Sequence, residues 1–239
     1  MDISKLNKIQ KFKLVMGADF WSNDTADGSL YKFVLSDGPV GLRQPLDKSN
    51  PEQKEVIKSV AYPSTQVLSQ TWNCDLAKLL GKSIGNDCIE QKVDIVLGPG
   101  VNIKRLPTNG RNFEYYSEDP VVVGVTGTAA TLGVQKSKGV GVTIKHYALN
   151  SQETSRNKEN NTVSERAIRE IYLKGFEMVV KQAQPMAIMT SYNQNNGRPA
   201  ADDYDLCTAF ARDEWGFQGM IMTDWGGGQS VPMLSLIHI

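Results

Sequence analysis

Apolar and polar residues follow one another along the chain in two rhythms, one of helices and one of short buried strands. Over residues 3–16 the apolar positions Ile3, Leu6, Ile9, Phe12 and Val15 recur every third residue, which predicts an amphipathic helix. Residues 31–35 read as a strand running into an Asp37-Gly-Pro turn. The polar, proline-bearing residues 45–59 read as an exposed loop. Residues 69–92 are the longest helical pattern, with Leu76, Leu79, Leu80, Ile84 and Ile89 on one side. A short apolar strand, 94–97, then ends in Gly-Pro-Gly, and the order repeats. A helix of small residues (120–136) leads to a strand (141–144) ending in Lys145-His146-Tyr147. A helix over 164–182, with Glu165 favourable near its N-terminus, leads to a strand (187–189) ending in Thr190-Ser191-Tyr192-Asn193. A helix over 204–215, stopped by Gly216, leads to the apolar run 219–223, which reads as a strand buried on both faces.

Strands and helices alternating at this spacing predict βαβ units and a parallel sheet. About six strands are expected, the one near Tyr62 being the weakest. Right-handed crossovers bring the C-terminal ends of such strands to one rim. Asp37, Arg111, Lys145, His146, Tyr192 and Asp224 all follow strands in phase, so the pattern describes a single site assembled from several loops. In an α/β fold of the TIM-type (β/α)8 class, that rim carries the chemistry. Asp224, at the end of the last apolar run and beside Trp225 and three glycines, is the first catalytic candidate.

Composition narrows the partners. Lys and Arg number 26 and Asp and Glu 26, which gives no reason to expect nucleic acid or an anionic membrane surface. No apolar run reaches membrane-spanning length, and the N-terminus has no secretory apolar core. Cys74, Cys88 and Cys207 are odd in number and lack CxxC spacing, which predicts reduced, buried thiols in a cytoplasmic protein. Without a secretory route, the glycosylation acceptors at Asn23 and Asn160 carry no meaning.

Each polar candidate also has a structural reading. Asp37 could shape its turn, Arg111 and Glu114 could be a surface pair of little consequence, and Lys145 a solvated strand-end charge. His146 could be a satisfied structural histidine, and Trp225 could be core. Two other chemistries compete. A lysine at a barrel strand end, here Lys145, can form a Schiff base as in aldolase-type lyases. A metal hydrolase would have to rely on carboxylates, because His146 and His238 are the only histidines and no HxH or HExxH spacing exists. No metal and no cofactor are expected.

Five stretches taken in order make the pattern specific: SDGPVGLR, LGPGVNIKRLPTNGRNFEYYSEDP, KHYALNSQETSR, SYNQNNGRPA and MTDWG. Together they resemble the successive motifs of glycoside hydrolase family 3, from about residue 14 to residue 233. The KHYALNSQE form is similar to the β-glucosidase branch. It lacks the Gly-His and Asp-Ser-His pattern of the family's N-acetylglucosaminidases. The resemblance implies retaining hydrolysis of terminal, non-reducing β-linked sugars, with Asp224 as nucleophile. It implies sugar contacts from Asp37, Arg111, Lys145, His146, Arg156, Tyr192 and Trp225, with Arg43 and Met189 as weaker candidates. A small-molecule or oligosaccharide β-glycoside is the partner implied.

The resemblance also implies an acid/base glutamate from a following α/β sandwich domain, and nothing in this sequence matches it. Residues 1–233 are therefore expected to be an incomplete family 3 barrel, and residues 234–239 a tail foreign to the family. An inactive fragment, or a sugar-binding barrel without catalysis, stays open as an alternative.

Overall fold

The computed structural model describes residues 3–25, 28, 30–46 and 55–228. The tail at 234–239, His238 and part of the 45–59 loop lie outside the described residues. The first helix, α1 (Lys8–Leu14), is closed by a reciprocal cap in which Asn7 and Gln10 each accept the other's backbone N–H. It is shorter than the 3–16 pattern predicts, and its apolar side chains Ile9 and Phe12 face outwards, as does the following Val15.

Five parallel strands form the main sheet: β1 (Leu35–Asp37), β2 (Ile95–Leu97), β3 (Gly141–Tyr147), β4 (Ala187–Thr190) and β5 (Met220–Thr223). Their spatial order is their chain order, without a reversal. A doubly wound sheet reverses at a switch point, whereas consecutive staves of a barrel advance one by one. The topology is therefore that of a TIM-type barrel wall. The strand expected near Tyr62 does not form, which leaves five staves among the described residues rather than about six. The first strand begins at Leu35, not at residue 31, because Tyr31 is exposed and Val34 makes an antiparallel bridge to Ser22.

Alternate residues sort to the two faces of the wall. Leu35, Ile95, Leu97 and Met189 form one cluster with the partly buried Phe33, Met222 and Trp225. Val96 and Val142 point the other way and pack with Ile84, Cys88 and Val134 of the helical layer. That layer consists of α2 (Thr65–Gln70), α3 (Cys74–Glu90), α4 (Pro120–Val134), α5 (Lys174–Ala183) and α6 (Asp205–Glu214), the last wound with wide π-type turns. The segment before α5 starts at Ser164, whose side chain caps Ala167 N–H, and passes through a π-type turn at Ile168–Tyr172.

The helix expected over 69–92 is two helices. Trp72 adopts a left-handed backbone (φ 53°), and Asn73 caps a fresh start at Cys74. The buried face of α3 also differs from the leucine face. Ala77, Gly81, Ile84, Gly85 and Cys88 are buried, while Leu76, Leu79 and Ile89 are exposed. The cause is close approach to α4. A Cβ on Gly81 would lie 2.2 Å from the Ala130 carbonyl oxygen, and one on Gly133 would lie 2.2 Å from that of Lys78. Backbones at this distance leave no room for leucine.

Two further expectations are corrected. Cys74 is exposed, unlike Cys88 and Cys207. Strand β5 is not buried on both faces: Met220 is 40% exposed, and Met222 and Thr223 are half-buried. No helix among the described residues is long and apolar enough to cross a membrane.

Candidate active site

The C-terminal ends of the strands and the segments that follow them bring most of the sequence candidates together. Lys145, on β3, is 3% exposed and lies between two carboxylates, with Nζ 3.5 Å from Asp37 Oδ1 and 3.5 Å from Glu114 Oε2. A solvated strand-end charge is therefore excluded. Glu114 is also 3% exposed and binds Arg111 Nε through Oε1, so the surface-pair reading fails too. Burial works against the Glu114 charge, but Lys145 and Arg111 outweigh it and hold the carboxyl below its usual range. Arg111 is likewise disfavoured by burial and is held charged by Glu114.

His146 is 1% exposed, and its Nε2 lies 3.7 Å from Asp224 Oδ2. Burial first, then the cations Arg111, Lys145 and Arg156, push its pKa well below the usual histidine value. Both causes favour the neutral imidazole. Lys145 and His146 are sequence neighbours, yet both take part in the site. The pairing register between β3 and β4 slips after Ile144, which relaxes the strict alternation of a regular strand.

Asp224 follows β5 directly. Its Oδ1 accepts the Trp225 N–H at 2.8 Å, and the Tyr192 hydroxyl lies beside it while donating to the Trp225 carbonyl at 2.8 Å. Burial raises the Asp224 pKa, and the Trp225 amide, Arg111, Lys145 and Tyr192 offset only part of that rise. Burial raises the Tyr192 hydroxyl as well, followed by the charge of Asp224. Arg156 stands 4.5 Å over the Tyr192 ring and donates to Glu153 Oε2 at 2.8 Å.

Two candidates sit differently. Arg43 is brought beside Asp37 by its backbone, through a 2.9 Å N–H bond to the Asp37 carbonyl, while the residue itself is exposed. Met189 is buried in the apolar cluster against which Trp225 packs, so it underlies the site floor.

Sequence reasoning missed two carboxylates. Glu114 lies three residues after Arg111, and Phe113, Tyr115 and Tyr116 around it were the available signal that it is buried. Glu153 joins Arg156, Asn150 and, at 4.0 Å, Arg111. Among the described residues, no group of His, Cys, Asp and Glu is placed to hold a metal. Lys145 is engaged by two carboxylates, Asp37 and Glu114, rather than left free to attack a carbonyl as a Schiff-base lysine must.

Comparison with known proteins decides the family. Residues 48–233 match the glycosyl hydrolase family 3 N-terminal domain. The chain belongs to glycoside hydrolase family 3. It is 43% identical over 227 residues to an exo-α-(1→6)-L-arabinopyranosidase of Bifidobacterium longum, covering 94% of this chain and 30% of that protein. It is 39% identical over 229 residues to β-glucosidase B of Emericella nidulans, covering 95% of this chain and 26% of that one. The structure of β-glucosidase 3B from Thermotoga neapolitana in complex with α-D-glucose superposes with a TM-score of 0.91 at 37% identity. That match covers 99% of this chain and 35% of the other. The family 3 chain described here thus spans about a third or less of the relatives it matches, and its wall is that family's TIM-type barrel.

Proposed function

We propose that this barrel carries the nucleophile and sugar-binding half of a retaining β-glycosidase of the β-glucosidase type. The supporting observation is the carboxylate of Asp224, half-buried at a strand end among His146, Arg111, Lys145 and Tyr192 beside an indole. Asp224 attacks the anomeric carbon, the glycosidic C–O bond breaks, and the departing oxygen takes a proton from a general acid. Water then displaces Asp224 from the glycosyl ester with retention. By family resemblance, the acid is a glutamate beyond this chain.

Asp37 accepts hydrogen bonds from sugar hydroxyls, and Arg111, Lys145 and His146 donate to them. Arg156 holds Tyr192 against the nucleophile, and Trp225 meets the apolar ring face. Arg43 and Met189 have a lesser part, at the outer rim and beneath Trp225. The raised pKa of Asp224 means that its attacking, ionised form is lost earlier on acidification than for an exposed aspartate.

Two sugars fit this reading. β-Glucosides are supported by the named β-glucosidases, and α-L-arabinopyranosides by the Bifidobacterium relative. Both place an equatorial leaving group on the anomeric carbon. The test joins this barrel to its natural downstream coding region and exposes the product to a 2-fluoro-glucoside or a 2-fluoro-arabinopyranoside with an activated leaving group. Asp224 is expected to become covalently labelled, and Asp224→Ala is expected to abolish turnover. A label on another residue, or full activity in Asp224→Ala, removes the assignment.

A further inference from the structure

We propose that Glu153, Asn150 and Tyr115 form a one-way hydrogen-bond relay that fixes His146 in a single tautomer, with its proton on Nε2. The consequence for catalysis rests on the glycosidase reading above, but the relay itself does not.

The direction of each bond follows from the last. Arg156 holds Glu153 by one oxygen at 2.8 Å, and a carboxylate oxygen can only accept. The atom of Asn150 that lies 2.9 Å from the other Glu153 oxygen must then be its amide nitrogen, Nδ2. The same nitrogen is 2.9 Å from the Tyr115 hydroxyl oxygen, so Tyr115 accepts there. The Asn150 backbone is pinned by its own N–H to Asn102 Oδ1 at 2.9 Å, which fixes the side chain's starting point.

Tyr115 is fully buried, and its remaining hydroxyl contact is His146 Nδ1 at 2.8 Å. Its proton goes to Nδ1, which must therefore be bare. The opposite tautomer would aim two donors at the Tyr115 oxygen and leave the Tyr115 proton unbonded in a buried setting, where a donor without a partner is strongly disfavoured.

With Nδ1 bare and the ring neutral, the proton sits on Nε2, the nitrogen that faces Asp224 Oδ2. His146 can then give a hydrogen bond to a sugar hydroxyl or to the nucleophile, but cannot accept one from either. Tyr115 and Asn150 are positioning residues: they act through His146 and have no part in the reacting atoms. The relay also makes Glu153 the residue that sets the polarity of His146 without touching it.

The test reads the tautomer directly. The full 239-residue chain, labelled with 15N at histidine and carrying His238→Gln to leave one signal set, is examined by long-range 1H–15N correlation. The expected pattern is a pyrrole-like Nε2 and a pyridine-like Nδ1. In Asn150→Asp the side chain becomes an acceptor, Tyr115 turns its proton towards it, and the pattern should reverse. In Tyr115→Phe the preference should vanish and the two nitrogens should average. An Nδ1–H pattern in the unaltered site, or a pattern unmoved by either substitution in folded protein, overturns the relay. A correct pattern in a longer enzyme that hydrolyses no glycoside would overturn the proposed function and leave the relay standing.

Discussion

Replacing Glu114 by glutamine is the most direct probe of how the site is held together. The substitution keeps shape and removes one negative charge from between Arg111 and Lys145, both with little solvent access. Removing one partner of a buried pair costs about 3–5 kcal/mol, because the remaining charge stays desolvated. Here each cation keeps a second carboxylate, Asp37 at 3.5 Å from Lys145 and Glu153 at 4.0 Å from Arg111. The lower end, about 3 kcal/mol, is therefore expected. For a chain of 239 residues this corresponds to a fall in Tm of about 6–12 °C.

The pH dependence has a fixed sign. Glu114 has a depressed folded pKa, so its contribution is complete above its unfolded value and is lost as pH falls through the folded one. The difference between wild type and Glu114→Gln should be full at neutral pH and should close on strong acidification. Thermal or urea melts of Glu114→Gln, Lys145→Met and the double variant measure the coupling, expected at about 0.5–3 kcal/mol for neighbours in one network. A Glu114→Gln change below about 1 kcal/mol, with additive single effects, would refute the argument that this carboxylate is the keystone of the cluster.

Three further outcomes are expected. Burial first, and then the charge of Glu153, raise the Glu159 carboxyl to about 7, and its Oε2 has no hydrogen-bond partner. A raised carboxyl contributes its stability below its unfolded pKa and loses it as pH rises through about 7. After allowance for its partial exposure, Glu159→Gln should stabilise the chain at alkaline pH by about 1–2 kcal/mol; equal or lower stability there contradicts it. Asp37→Ala in an active longer enzyme should lower kcat as well as raise KM, by about tenfold to a hundredfold in kcat/KM; an effect on KM alone would mean ground-state binding only. Residues 1–239 alone should leave nitrophenyl glucoside untouched and act faintly, if at all, on the dinitrophenyl compound, since general acid catalysis supplies about 10²–10⁴-fold; ready turnover of the nitrophenyl substrate would reveal a proton donor within the chain.

The parallel wall and the strand-end phase of the polar residues were legible because buried parallel strands write themselves as short apolar runs. Ile95, Val96 and Leu97 show it, each buried whichever face it meets. Strand and helix limits were less legible. Trp72 reads as helical by composition, and only its left-handed backbone breaks the pattern in two. The α3–α4 interface misled for a related reason: hydrophobic periodicity marks leucines as the buried face, whereas close backbone approach selects Gly81 and Gly133. In the site, residue type announced Asp224, Lys145 and His146. It did not announce Glu114 or Glu153: Arg111 and Arg156 stand three residues away in the sequence, but Lys145 on β3 meets Glu114, and Arg111 meets Glu153, only once the chain is folded.

The glycine seam between α3 and α4 has a consequence for anyone ranking positions by their tolerance to substitution. Gly81 and Gly133 touch no proposed sugar contact, yet each is pressed against a neighbouring carbonyl where even one methyl group meets backbone. In a mutational scan scored on activity they should therefore look as indispensable as Asp224. A second score separates the two kinds of necessity. Replacing either glycine should empty the soluble pool, whereas replacing Asp224 should leave it full of inert protein.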